Sequence, residues 1–255
     1  MKRIMETRSV MEIALKAGEI LLTSGAEIYR VEDTVRRICR CYGVDCESFV
    51  LPTGIFLSTT GNAPESISFV KRIHGMAVNL HRIELINAFS WHLQEHPMAY
   101  GEAIQVLESI EKVGSWSFSM HLIASGVAAF AFTLLFAGSF YDGMIAMGIS
   151  MFIYLIKVKI SQIGFFQFFQ YFISGVLAGG IGLFAVELFP PLRLNLYKII
   201  IGSLMIQLPG IGITNGVKDA LYGDISSSLS RLGEAVFITA AMGTGVGLAI
   251  AIGMR

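Results

Sequence analysis

A chain of 255 residues with 19 basic and 19 acidic side chains, 54% hydrophobic and only 15% charged, is too apolar for an ordinary soluble domain, where about 25% of residues are charged. Its mean hydropathy of +0.64 points to an integral membrane protein. Zero net charge, with no basic patch or basic–aromatic interleaving, excludes nucleic acid as a partner.

The charge is unevenly spread: 12 of the 19 Lys and Arg and 14 of the 19 Asp and Glu fall within residues 1–112. That predicts a polar domain over 1–115 and an apolar part over 116–255. At the N-terminus, Glu6, Glu12, Lys16 and Glu19 interrupt any apolar run, so no secretory signal is expected. Residues 8–24 read as an amphipathic helix with Ile13, Ala17, Ile20, Leu21 and Ser24 on one face, ended by Gly25. Glu27 to Tyr42 read as a second helix, apolar along Ile28, Val31, Val35 and Ile38, with Glu32–Arg36 and Asp33–Arg37 at i,i+4 on its other face. Cys39, Cys41 and Cys46 are expected to be free thiols.

From Val44 to Ile73 the texture is β-branched and aromatic, split by Gly61-Asn62-Ala63-Pro64 into the two arms of a hairpin. Pro52-Thr53-Gly54 reads as a kink in the first arm. Residues 78–96 and 99–113 return to helix, giving a small α+β domain of four helices around a hairpin. Within it His92, Glu95 and His96 match the H-x-x-E-H pattern of zinc peptidases. The match ends a helix just before Pro97 with no third ligand offered by another helix, so a solvated helix end is expected, with no metal and no cofactor.

Five membrane spans are expected, at about 118–138, 141–157, 168–189, 197–217 and 232–253. Tyr and Trp lie near their ends, and Phe165, Phe166, Phe168, Phe169 and Phe172 crowd the third. Gly175/Gly179, Gly212/Gly216 and Gly243/Gly247 give GxxxG spacing suited to close helix packing. With the N-terminus inside, Lys112, Lys157, Lys159, Lys218 and Arg231 lie on the inner side and Arg193, Lys198 and Arg255 on the outer. Asp142 and Glu187 sit near span ends and read as interfacial.

The fourth span is interrupted at Gln207-Leu208-Pro209-Gly210. Pro209 removes a backbone donor and Gly210 loosens the turn, so a kink or break is expected there. A broken helix inside a bilayer survives only where the freed backbone is buried in protein or faces a polar cavity, and transporters build substrate sites this way. Asn215 and Asp219, four residues apart, share a helix face beyond the break, and Asp224 follows. Lys218, Asp219 and Asp224 read either as loop charges or, for Asp219 or Asp224, as a proton-coupling carboxylate with Asn215 bonded to solute.

Two stretches carry a family resemblance. GAEIYRVEDTVRRI followed by VLPTGIFLSTTG resembles the N-terminal hydrophilic module of the threonine/serine exporter family. LPGIGITNGVKDALYGDISSSLSRLGEA resembles the signature of that family's later membrane helices, and the resemblance covers nearly the whole chain. It implies an α-helical integral membrane protein with a small N-terminal α+β cytoplasmic domain and a five-helix transmembrane bundle, multi-pass in a bacterial-type inner membrane. The implied activity is proton-coupled export of small amino acids or small carboxylates. Because the chain stops at Arg255, it is similar to the split form, which pairs with a second small membrane subunit and oligomerises. The implied site residues are Gly25, Glu27, Arg30, Thr53 and Gly54 in the polar domain. In the membrane part they are Pro209, Gly210, Asn215, Asp219, Gly223 and Asp224, with the carbonyls near Gln207 available to solute. A Gly often follows the Gly-Asp pair in the family, where this chain has Ser226-Ser227-Ser228. Two rival functions are a membrane-anchored hydrolase and a ligand-sensing regulatory subunit, each using the N-terminal domain.

Overall fold

The computed structural model describes residues 5–60, 67–114, 116–161 and 167–253. They form two compact units, one of residues 1–115 with 211–232, the other of 116–210 with 233–255. Gly61-Asn62-Ala63-Pro64, Phe165, Phe166 and Arg255, singled out above, lie outside the described residues.

In the first unit, α1 (Thr7–Thr23) is the central element, touching α2 (Ile28–Cys41), α3 (Leu80–Glu95), α4 (Tyr100–Glu111) and the sheet. Its apolar residues recur every three or four positions, and Ile13, Ala17, Ile20 and Leu21 are fully or almost fully buried. Each buried Ile or Leu contributes about 1.5–3 kcal/mol, so this one helix anchors the unit. The stripe Ile28, Val31, Val35 and Ile38 of α2 is buried against it. Where the two helices cross, a Cβ on Gly18 would stand 2.9 Å from a Val35 methyl. Among the described residues no cysteine forms a disulfide.

The strand region differs from expectation. It forms three antiparallel strands in the order β1 (Cys46–Leu51), β2 (Gly54–Thr59) and β3 (Ser68–Arg72). Leu51 pairs with Gly54, so Pro52 and Thr53 are the two residues of a hairpin turn, where a kinked single strand was anticipated. Proline's fixed φ suits a turn, and the missing N–H costs nothing outside the ladder. Val50, Ile55 and Leu57 face the core while Phe49, Phe56 and Val70 are exposed.

The second unit contains α5 (Phe118–Leu135), α6 (Phe140–Ser161), α7 (Gln167–Leu188), α8 (Leu196–Leu204) and the later turns of α10 (Ile225–Gly253). Helices α5, α6, α7 and α10 are long and apolar enough to cross a membrane. A fifth crossing follows if α8 and its continuation count as one bent span. Asp142, placed at an interface from sequence, is buried: its carboxylate accepts from the backbone N–H of Ser139 and of Asn195, both at 2.8 Å. It therefore closes a capping box at the start of α6 and ties down the entry to α8.

The break at Pro209 is present. After α8 the chain tightens into a 3-10 turn at Met205–Gln207, then leaves helical conformation at Leu208 (φ −63°, ψ 136°). The residue before a proline is driven out of the α region in this way. Helix α9 (Gly210–Leu221) then starts afresh, with a bend of 61° across the break.

Candidate functional site

The site assembles around a sharp corner of the first unit. Helix α1 ends in a Schellman motif: Gly25 N–H donates to Leu22 O and Ala26 N–H to Leu21 O, both at 3.1 Å. Gly25 has φ +83°, which only glycine adopts freely, so the corner leading into α2 depends on it. Helix α9 ends the same way, with Gly223 at φ +90° and Asp224 N–H donating to Asp219 O at 2.9 Å. Asp224 then caps α10, its carboxylate accepting from Ser227 N–H at 3.1 Å. That places Asp224 in a structural cap, with the serines that follow serving as the first turn of the next helix.

The buried face of α9, carrying Asn215, Gly216 and Asp219, meets the Gly25–Ile28 corner within this unit. Asn215 donates its side-chain N–H to Gly25 O at 2.9 Å. Asp219 accepts from the backbone N–H of Ile28, the first residue of α2, at 3.3 Å. Glu27 at the helix start makes no side-chain cap, so Asp219 supplies negative charge to that helix end from a distant segment. The other carboxylate oxygen of Asp219 lies 3.0 Å from Arg231 Nε, with both side chains almost wholly buried. The two atoms are at ion-pair distance without hydrogen-bond alignment. Arg231 also donates from Nη2 to Ala26 O at 2.9 Å.

Beside this centre, two half-exposed cations cover the buried Glu27. Lys218 Nζ donates to Glu27 Oε1 at 2.9 Å, and Arg30 Nε stands 3.1 Å from Glu27 Oε2. Burial pushes the Glu27 carboxyl up, but the Lys218 hydrogen bond, its own backbone N–H and the charge of Arg30 outweigh burial and hold it below its ordinary value. Tyr29 stacks on Tyr222 with ring centroids 4.2 Å apart.

Of the residues picked from sequence, Gly25, Glu27 and Arg30 are thus brought together with Asn215, Asp219 and Asp224. Thr53 and Gly54 belong to the β1–β2 turn, where Thr53 O accepts from Ile73 N–H at 2.9 Å. A Cβ on Gly54 would meet Lys71 O at 3.0 Å, which accounts for that glycine by strand packing. Pro209 and Gly210 form the break. Gln207, in the second unit, lines a cavity of about 420 Å³ with His121, Ser125, Ser150, Tyr154 and Lys157. Arg231 escaped the sequence reading, which counted it and Lys218 as loop charges. Its signal was a cation at the start of an apolar run, spaced twelve residues from Asp219. His92 and His96 have rings 5.2 Å apart, and His96 lies just past the end of α3. Among the described residues no group of three or more His, Cys, Asp or Glu could hold a metal ion.

Comparison with known proteins assigns nearly the whole chain to one family. The sequence family described as "Putative threonine/serine exporter" matches residues 12–253. The chain is 22% identical over 249 residues to the "Probable threonine/serine exporter" of Mycobacterium tuberculosis, an alignment spanning 95% of this chain and 46% of that protein. It is 22% identical over 252 residues to the "Probable succinate transporter subunit YjjP" of Escherichia coli, spanning 98% of this chain and 97% of that one. The "Threonine/serine exporter" of Corynebacterium glutamicum is 21% identical over 253 residues, 96% of this chain and 51% of its own. The chain therefore spans about half the length of the two exporters and nearly all of the E. coli subunit. No solved structure matches the chain.

Proposed function

The chain belongs to the threonine/serine exporter family, and on that premise we propose that it is one subunit of a proton-coupled secondary transporter that exports small amino acids or small carboxylates. Family and relatives' names indicate a transporter and no enzyme, and four or five apolar helices make it a multi-pass membrane protein. The observation that carries the transport reading is the buried Asp219–Arg231 pair, one helix after the proline break, gripping the Gly25–Ile28 corner.

An arginine keeps its proton at any physiological pH, so Asp219 is the member of the pair able to exchange one. Taking up a proton would cancel its attraction to Arg231 and weaken its acceptance of the Ile28 N–H. The corner and α9 would then be free to part. Asn215, released from Gly25 O, would offer its amide to solute beside the break. This cycle alternates access around the interrupted helix, the architecture by which many secondary transporters work. The inner-side excess of Lys and Arg supports an inner-membrane protein with its polar domain in the cytoplasm. A partner subunit is supported by the E. coli relative, which is named a subunit and is matched almost end to end.

The test uses proteoliposomes holding the chain with the product of a neighbouring gene, loaded with labelled L-threonine, L-serine or succinate under an imposed pH gradient. Asp219→Asn should abolish gradient-driven efflux. The double variant Asp219→Asn/Arg231→Gln removes both charges and should assemble normally while still failing to couple. Gradient-driven efflux at the unaltered rate by the double variant would refute the role of Asp219, and efflux by neither protein nor variants would refute export.

A further inference from the structure

The cavity of the second unit holds polar groups that the scheme above does not use, and it rests on the exporter reading only for its biological purpose. Its volume of about 420 Å³ is in the range of small-molecule sites, about 300–1,000 Å³. Apolar walls from Ala124, Val158 and Ile206 leave a few polar groups converging on the space. Lys157 reaches it from α6, its ammonium 4.7 Å from the centroid of the Tyr171 ring. Among the described residues no carboxylate lies within ion-pair distance of Lys157, and no Asp or Glu lines the cavity. An ammonium lodged in an apolar helix without a counter-ion is costly, and such residues generally serve a ligand or pathway.

Beside His121, Tyr154 and Gln170, the lining offers three acceptors. Gln207 Oε1 is buried with no donor among the described residues. Ser125 Oγ spends its proton on Leu122 O at 2.8 Å, and Ser150 Oγ spends its own on Ser125 O at 3.1 Å. Both hydroxyl oxygens therefore keep only lone pairs to offer. A buried acceptor left unsatisfied costs free energy that an incoming donor recovers.

The geometry points to this cavity as a binding site for a small acid that carries a hydrogen-bond donor close to its carboxylate, an amino or hydroxy acid. Lys157 takes the carboxylate. Gln207 Oε1 and the serine oxygens take the ammonium or hydroxyl. A plain dicarboxylate supplies a second anion and no donor, so it leaves Gln207 unsatisfied and binds less well.

The experiment measures equilibrium binding to the full chain in nanodiscs by calorimetry, with L-threonine, L-threoninol (the carboxylate reduced to an alcohol) and succinate as probes. The first comparison needs no mutation: L-threonine should bind, with L-threoninol and succinate about 10- to 100-fold weaker, the scale of a charge-assisted hydrogen bond. Lys157→Gln should weaken L-threonine by a similar factor, Lys157→Arg should recover part of it, and Gln207→Ala should narrow the gap between L-threonine and succinate. Thermal unfolding of each variant reports whether it folds. Equal binding of L-threonine and L-threoninol, a folded Lys157→Gln protein with unchanged affinity, or no binding at all would overturn the site. Export of L-threonine by proteoliposomes alongside such a result leaves the exporter reading standing. Lys157-dependent binding without export sinks that reading and keeps the site.

Discussion

Asp219 and Arg231 each depend on the other because neither touches bulk water. Removing one partner of a buried ion pair leaves an uncompensated charge, at a cost of about 3–5 kcal/mol, while replacing both with neutral groups is close to neutral. Arg231→Gln alone should therefore lower the thermal unfolding midpoint sharply, and adding Asp219→Asn should restore most of it. A single variant as stable as the unaltered protein would mean that the pair is solvated. Glu27, also buried, behaves differently, because its half-exposed cations Lys218 and Arg30 tie it to pH. Its carboxyl is held below the ordinary value, so the stabilisation it gives is complete above about pH 4.3 and fades as pH falls below that. Glu27→Gln should accordingly flatten the decline in thermal stability between about pH 5 and pH 3, while leaving the neutral-pH dependence alone. Melting curves in detergent at stepped pH values measure this.

At the level of elements, the two long amphipathic helices were legible because their burial follows one-dimensional periodicity. The break was legible because proline acts on its immediate neighbours. The β1–β2 turn was misread because Pro52-Thr53 lacks the Gly or Asn that usually marks a tight hairpin, so the run looked continuous. The site was legible only as separate pieces: Asn215 to Gly25 is a contact across 190 residues, which no spacing rule reaches. Glycine spacing shows the same limit. Gly175 and Gly179 do face α10 closely, and a Cβ on Gly175 would stand 2.2 Å from Met242 O. The matching glycine on α10 is Gly245, whose Cβ would fall 2.2 Å from Phe172 O, whereas Gly243 and Gly247 look onto open space. Gly175→Ala should thus overpack the α7–α10 contact and cost about 1–3 kcal/mol, with Gly243→Ala leaving stability unchanged or slightly raised by its better helix propensity. Equal effects at the two positions, read by thermal unfolding, would mean that α7 and α10 do not meet as described.

Those same glycines fix how α7 and α10 run relative to each other. Along α7 and α10 the facing positions rise together, Phe172 with Gly245, Gly179 with Ala249 and Leu183 with Gly253, so the two helices run parallel. Two parallel spans cross the bilayer in one sense, and the chain between them must cross back. The helical segments between them that are long enough to matter are the bent pair Leu196–Gln207 and Gly210–Leu221. The first segment has 12 residues, about 18 Å at 1.5 Å per residue, against a hydrocarbon core of about 30 Å. A fifth crossing needs residues beyond Pro209 to complete the passage, and would put the break at membrane depth. Five crossings place residues 6 and 253 on opposite faces, and four would place them on the same face. The measurement replaces Cys39 with Ala and Cys41 and Cys46 with Ser, then introduces single cysteines in place of Glu6 and Gly253. Labelling with a membrane-impermeant maleimide in intact cells should modify the Gly253→Cys protein alone, with Glu6→Cys reacting only after lysis. Labelling of both from one side would make the bent pair a re-entrant loop, and the alternating-access scheme built on it would lose its moving part.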